Sequence, residues 1–248
     1  MFLDIELTSW PLLLVGALAV FGGSALQAST GLGLGMVAAP ALLLLDPRLV
    51  PGPLLVLALL VSLLIAVRDR HAIDRRGLGF ALAGRIPGTL FAGLTISMLP
   101  LTTYNLVFGS LVLAAVLLSM SGWRALPTAR NLLTAGFASG YMGTLTSIGA
   151  PPLAIAYQHD SAASMRATMA AYFVVGSAFS LLVLALFGKF SAHEAIAGTV
   201  FVPPLLAGFW ISGHVVRRMN DRRARQAVLW LSGLSALALI AKTLLVGE

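Results

Sequence analysis

Apolar residues occupy the chain in long runs, separated by short polar links. The runs cover 10–27, 36–45, 51–67, 77–98, 103–121, 131–145, 152–158, 166–187, 194–215 and 226–246. About 20 helical residues cross a bilayer, and six of the runs approach that length. The four shorter runs flank two interruptions. The first reads Ser29-Thr30-Gly31-Leu32-Gly33-Leu34-Gly35. Each of its glycines costs about 1 kcal/mol in a helix interior, so the helix is expected to break there. The second reads Gly143-Thr144-Leu145-Thr146-Ser147-Ile148-Gly149-Ala150-Pro151-Pro152. At membrane depth, unpaired backbone is tolerated only inside protein or along a cavity. The pattern predicts an all-α polytopic membrane protein of eight to ten helical segments, with a binding site at the breaks.

Arginine orients the segments. Arg68, Arg70, Arg75 and Arg76 share one link, Arg124 and Arg130 a second, and Arg217, Arg218, Arg222, Arg223 and Arg225 a third. By the positive-inside rule all three are cytoplasmic. The links 99–102 and 188–193 and the acidic N-terminus (Asp4, Glu6) suit the other side. Counting crossings, segment 10–45 enters and returns from outside, segment 131–158 does so from inside, and three crossings follow each. Both termini are then periplasmic. This arrangement predicts two inverted-topology repeats, 1–122 and 123–248, within one transmembrane domain. At an offset of 116, Phe21, Thr30, Gly33, Ala38 and Pro87 match Phe137, Thr146, Gly149, Ala154 and Pro203.

Composition narrows the class. Of 248 residues 58% are hydrophobic and 10% charged, against about 25% charged in soluble domains. Mean hydropathy is +0.95. No polar stretch is long enough to fold alone. The net charge of +7 is carried by the link arginines, so no nucleic-acid partner is expected. The chain has no cysteine, which excludes disulfides and thiolate sites. No Lys or Arg precedes the first apolar run, unlike a cleaved signal peptide, so the first helix is expected to be retained.

The candidate chemistry is that of anion binding. Helix N-termini present free N–H groups and partial positive charge. The pieces beginning near Gly35 and Pro152 would aim such ends at the centre, and Pro151 suits a helix start. Ser29, Thr30, Thr146 and Ser147 add hydroxyls, and Gly31, Gly33 and Gly149 allow close backbone approach. Arg85 lies eight residues into the run 77–98, about 12 Å from its start, where a charge is functional unless it snorkels to the interface. Pro87 is expected to open the helix beside it. Lys242 is expected to snorkel. Gln27, Tyr141, Tyr157 and Gln158 stand near the breaks as path-lining or packing residues. All nine acidic residues fall in links or at termini, and the four histidines are scattered at helix ends. A cation site, a metal site and a nucleophile–base pair are therefore poorly supplied, so neither a cofactor nor enzymatic activity is expected. The expected partners are a small anionic substrate and the lipid bilayer, with a homodimer as an option.

The two glycine-rich, proline-flanked motifs, Thr30-Gly31-Leu32-Gly33-Leu34-Gly35 with Pro40 and Gly143 to Pro152, sit in two similar halves of a chain of about 250 residues. In these features the chain resembles the sulfite exporter TauE/SafE family, also called the toluene-sulfonate uptake permeases. Leu32 and Leu34 interrupt the family's usual glycine run, and Ala150 stands where glycine is common. The resemblance implies a secondary transporter of sulfite, thiosulfate, sulfonates or other organic anions in the bacterial inner membrane. A passive anion channel and a carboxylate symporter of the same fold are the alternatives.

Overall fold

The computed structural model describes residues 10–123, 125–218 and 221–246. Asp4, Glu6 and Arg124 lie outside them, as do the side chains of Lys242 and of the five arginines at 217–225. The described residues form eleven α-helices and no strand. Helices α1 (Trp10–Thr30) and α2 (Leu34–Leu45) flank the first break, followed by α3 (Gly52–Arg68), α4 (Arg75–Met98) and α5 (Leu101–Met120). Helices α6 (Ala129–Thr146) and α7 (Ala150–Tyr157) flank the second, followed by α8 (Ala162–Leu186), α9 (Ala192–Thr199), α10 (Val202–Arg218) and α11 (Asp221–Val246). Five described helices, α1, α3, α4, α5 and α8, are long and apolar enough to cross a membrane, and α9 with α10 would make a sixth span. The protein is a polytopic α-helical membrane protein.

Two local expectations are corrected. The run 194–215 is not one straight helix, because α9 and α10 meet at 51°. Pro203 and Pro204 follow the bend. They lack N–H donors, and the ring of Pro203 opposes the Thr199 carbonyl. Pro87, in contrast, does not open α4, which is continuous over 24 residues. There a single proline removes one ladder bond, and close packing against α6 holds both flanks.

That packing rests on small residues. Gly84 and Gly88 of α4 face the carbonyls of Leu133 and Phe137, while Gly136 and Gly140 of α6 face those of Ala81 and Arg85. Two reciprocal Gly-x-x-x-Gly pairs thus bring the backbones together, the usual device where lipid removes any hydrophobic drive for helices to associate. Helix α1 packs on α10, where the Ser24 hydroxyl donates to the Leu205 carbonyl at 2.7 Å. Helix α2 packs on α11, α5 on α7 and α11, and α3 on α8.

The broken segments are hairpins. The Leu45 side chain at the end of α2 lies against Gly16 of α1, and Gly52 then sits beside Phe190, just beyond the end of α8. At the end of α7, Tyr157 lies against Gly77 of α4 and Gln158 donates to the Trp123 carbonyl at 3.0 Å. Near that end of α4, the Asp74 amide donates to Thr168 in the second turn of α8, at 2.9 Å. The hairpins therefore return toward opposite ends of α8.

Candidate functional site

Each break is three residues long, Gly31–Gly33 and Ser147–Gly149, and the two stand in register at the offset of 116. Both begin with a left-handed residue, Gly31 at φ 85° and Ser147 at φ 61°. Glycine adopts this conformation freely, whereas a serine is strained there by about 1–2 kcal/mol. The preceding threonines act alike. Thr30 Oγ1 donates to the Leu26 carbonyl (2.9 Å) and accepts from the Leu32 amide (3.2 Å). Thr146 Oγ1 donates to the Met142 carbonyl (2.7 Å) and accepts from the Ile148 amide (3.1 Å). Each hydroxyl turns back onto a carbonyl of its own helix and takes up one amide that the break releases.

A cavity of about 30 Å³ lies where the breaks approach, with Gly33, Gly35, Ser147, Gly149 and Arg85 in its wall. That is room for about two water-sized groups. Gln27 and Ser177 add polar edges, while Met36, Leu55, Ala58 and Phe173 make an apolar side. Gln27 holds the first break open, because its Oε1 accepts from the Leu34 amide (3.2 Å) and its Nε2 donates to Ser62 (3.0 Å). The amides of Gly35 and Met36 belong to the first turn of α2, where no intrahelical acceptor exists.

Arg85 dominates the electrostatics. It is 2% exposed, so it does not snorkel to an interface. Its guanidinium stacks 4.8 Å from the Tyr172 ring centroid, and Nη2 donates to Ser180 Oγ at 3.1 Å. Nε and Nη1 have no partner, and no described carboxylate forms an ion pair with Arg85. A buried charge costs several kcal/mol unless it is compensated, and these two nitrogens lack a compensating partner among the described residues.

The other sequence-predicted residues lie apart from the cavity wall. The Ser29 hydroxyl donates to the Ala25 carbonyl (2.5 Å), and Gly31 packs on the backbone of Arg166. Thr30 and Thr146 are spent on the breaks. Pro151 is buried in the first turn of α7. With Pro152 it also removes two amides from that helix end, which makes α7 a poorer anion cradle than α2. Ser147 lines the cavity, yet its hydroxyl donates to the Pro51 carbonyl (3.1 Å). Sequence reasoning missed Gly176, Ser177 and Ser180, which share one face of α8. Their spacing of three to four inside an apolar run was the available signal.

A charged cluster holds the end of α1. Arg68 Nη2 donates to the Ala28 carbonyl at 2.6 Å and Arg166 Nη1 to that of Ser29 at 3.3 Å. Asp69 bridges the two arginines at 3.1 and 2.6 Å. Burial pushes the Asp69 carboxyl up, but the hydrogen bonds and charges of Arg68 and Arg166 outweigh it and hold the group below the ordinary carboxylate range.

A family model described as sulfite exporter TauE/SafE matches residues 15–239. No curated protein and no solved structure gives a significant match.

Proposed function

The chain belongs to the sulfite exporter TauE/SafE family, a family of membrane transporters, and from that premise we propose a secondary transporter of small sulfur oxyanions or short organosulfonates. The observation that carries the proposal is Arg85, buried against a cavity between the two breaks with two donor nitrogens unpaired. A guanidinium with free N–H groups matches an oxyanion. The Gly35 and Met36 amides at the start of α2 add donors and partial positive charge. Leu55, Ala58 and Phe173 form an apolar side, along which a short organic substituent would lie once the cavity widens to admit the anion.

The halves 1–122 and 123–248 act as inverted repeats in this account, and their relative movement opens the cavity to each side in turn. The oppositely returning hairpins support that reading. The link arginines favour a bacterial inner-membrane orientation with both termini periplasmic. The substrate enters as an anion and leaves as one, with no bond made or broken.

The test is a thermal-shift panel on detergent-purified protein with sulfite, thiosulfate, short sulfonates and short carboxylates. Stabilisation rises with the logarithm of ligand concentration over Kd. The proposal expects sulfur oxyanions or sulfonates to stabilise most. Stabilisation by carboxylates alone would remove the substrate class.

A further inference from the structure

We infer that α8 supplies the key polar wall of the anion site through Gly176-Ser177-Ala178-Phe179-Ser180, with Ser177 as a direct hydroxyl ligand and Ser180 as the residue that positions Arg85. The inference rests on the transport reading above and deepens it. It shifts the hydroxyl contribution away from the breaks.

Hydroxyl hydrogens decide the assignment. A serine or threonine has one hydrogen to donate. Those of Ser29, Thr30, Thr146 and Ser147 go to the carbonyls of Ala25, Leu26, Met142 and Pro51. Ser177 lines the cavity and is 1% exposed, and no hydrogen bond from its hydroxyl to the protein is seen among the described residues. It is the uncommitted hydroxyl of the cavity wall that Arg85 also lines, and Nε and Nη1 of Arg85 are likewise without a partner.

Ser180 lies one turn further along the same face. Its oxygen accepts from Arg85 Nη2 at 3.1 Å and lies 2.8 Å from Thr144 Oγ1. Thr144 donates to the Gly140 carbonyl at 2.7 Å. Thr89 Oγ1 also lies 3.4 Å from Thr144 Oγ1; with the Thr144 hydrogen on its shorter contact, the Gly140 carbonyl, the Ser180 hydrogen is placed toward Thr144 and a Ser180 lone pair toward the guanidinium. The chain therefore runs one way, from Arg85 through Ser180 and Thr144 to the α6 backbone. Ser180 and Thr144 are fully buried. Gly176 completes the seat, because a Cβ there would overlap Nε and Cζ of Arg85. The strip thus clears space for the guanidinium, fixes one nitrogen, leaves the other two without a protein partner and adds a hydroxyl to the cavity wall that Arg85 shares.

The experiment measures Kd for sulfite and methanesulfonate on the purified full chain by concentration-dependent thermal shift. Wild type and Arg85→Met come first, followed by Ser177→Ala, Ser180→Ala, Ser180→Thr and Gly176→Ala. The expected result is a loss of affinity of about tenfold or more for Ser177→Ala, from one hydrogen bond to a charged ligand. Ser180→Ala loses a similar factor and Ser180→Thr recovers most of it, while Gly176→Ala loses binding altogether. A second readout uses the absence of native cysteine. The lone thiol of the Ser177→Cys variant should be shielded from maleimide by methanesulfonate, which does not react with thiol reagents. Affinities within twofold of wild type for both Ser177→Ala and Ser180→Ala, with Arg85→Met inactive, would overturn the α8 assignment alone. A thiol left unshielded in Ser177→Cys protein that binds methanesulfonate would do the same. Unchanged affinity in Arg85→Met, or no wild-type response to either probe, would remove the transport reading itself.

Discussion

Replacing Arg85 by methionine should separate stability from function. Methionine keeps most of the side-chain volume and removes the charge. Arg85 is 2% exposed with two nitrogens unpaired. One charged hydrogen bond of about 1.5–3 kcal/mol and a cation–π contact of about 2 kcal/mol offset only part of its desolvation. Apolar replacements of buried ionic groups are often neutral or stabilising by about 1–4 kcal/mol. Arg85→Met should therefore unfold at the wild-type temperature or above it. Binding should move the other way. Two charge-assisted bonds to the anion, at about 1.5–3 kcal/mol each, are worth about two to four decades in Kd. At a ligand concentration 100 times the wild-type Kd, ligand stabilises wild type by about 2.7 kcal/mol. A variant with hundredfold weaker binding gains only about 0.4 kcal/mol there. The assay is thermal unfolding in detergent with and without sulfite or methanesulfonate. A variant that is destabilised without ligand, yet keeps the full ligand-dependent gain, would refute the reasoning and leave Arg85 as a packing residue.

Other outcomes follow from the same structure. Asp69→Asn leaves Arg68 and Arg166 without their bridge, and should cost about 1–3 kcal/mol in thermal unfolding, less than a fully buried pair because the arginine side chains are 36% and 22% exposed. The folded pKa of Asp69 lies below its unfolded value, so its contribution is complete above about pH 4 and fades as pH falls through the folded value. Melting curves from pH 7 to pH 3 should show that fade in wild type, and Asp69→Asn should be flatter over that range. Gly136→Val drives a branched side chain into the Ala81 carbonyl and should abolish the monodisperse size-exclusion peak. Thr146→Val removes both bonds at the second break and should cost about 1–3 kcal/mol of stability, with Thr146→Ser retaining most of it. Their anion affinities should change far less than that of Arg85→Met.

The breaks were legible because glycine and proline act locally. Gly31, Gly33 and Pro151 oppose a continuing helix whatever surrounds them, so break position could be read from the chain, whereas the division of the run 194–215 into α9 and α10 was not. Thr30 and Thr146, 116 residues apart, each bond a carbonyl four residues back and an amide two residues on. Arg85 stood out because a charge in an apolar run is rare. What each hydroxyl does was not legible. Serine and threonine can turn back onto a helix carbonyl or face outward, and only the packing of α4, α6 and α8 decides which. That packing spends Thr146 on its own turn and leaves Ser177 free. The bend at Thr199 and the continuity at Pro87 differ in sequence only in that Pro203 and Pro204 are adjacent while Pro87 is single, and it is the packing of α4 on α6 that keeps the helix straight through one proline.

The central claim is that an anion is carried through the cavity at Arg85. Counterflow in proteoliposomes tests it most directly, by measuring uptake of labelled sulfite or a labelled short sulfonate into vesicles preloaded with the same unlabelled anion. The account predicts uptake that saturates with external anion, rises with internal anion and disappears in Arg85→Met reconstituted to the same density. Flux that never saturates and ignores the internal anion would indicate a channel. Equal flux in wild type and Arg85→Met would contradict the site.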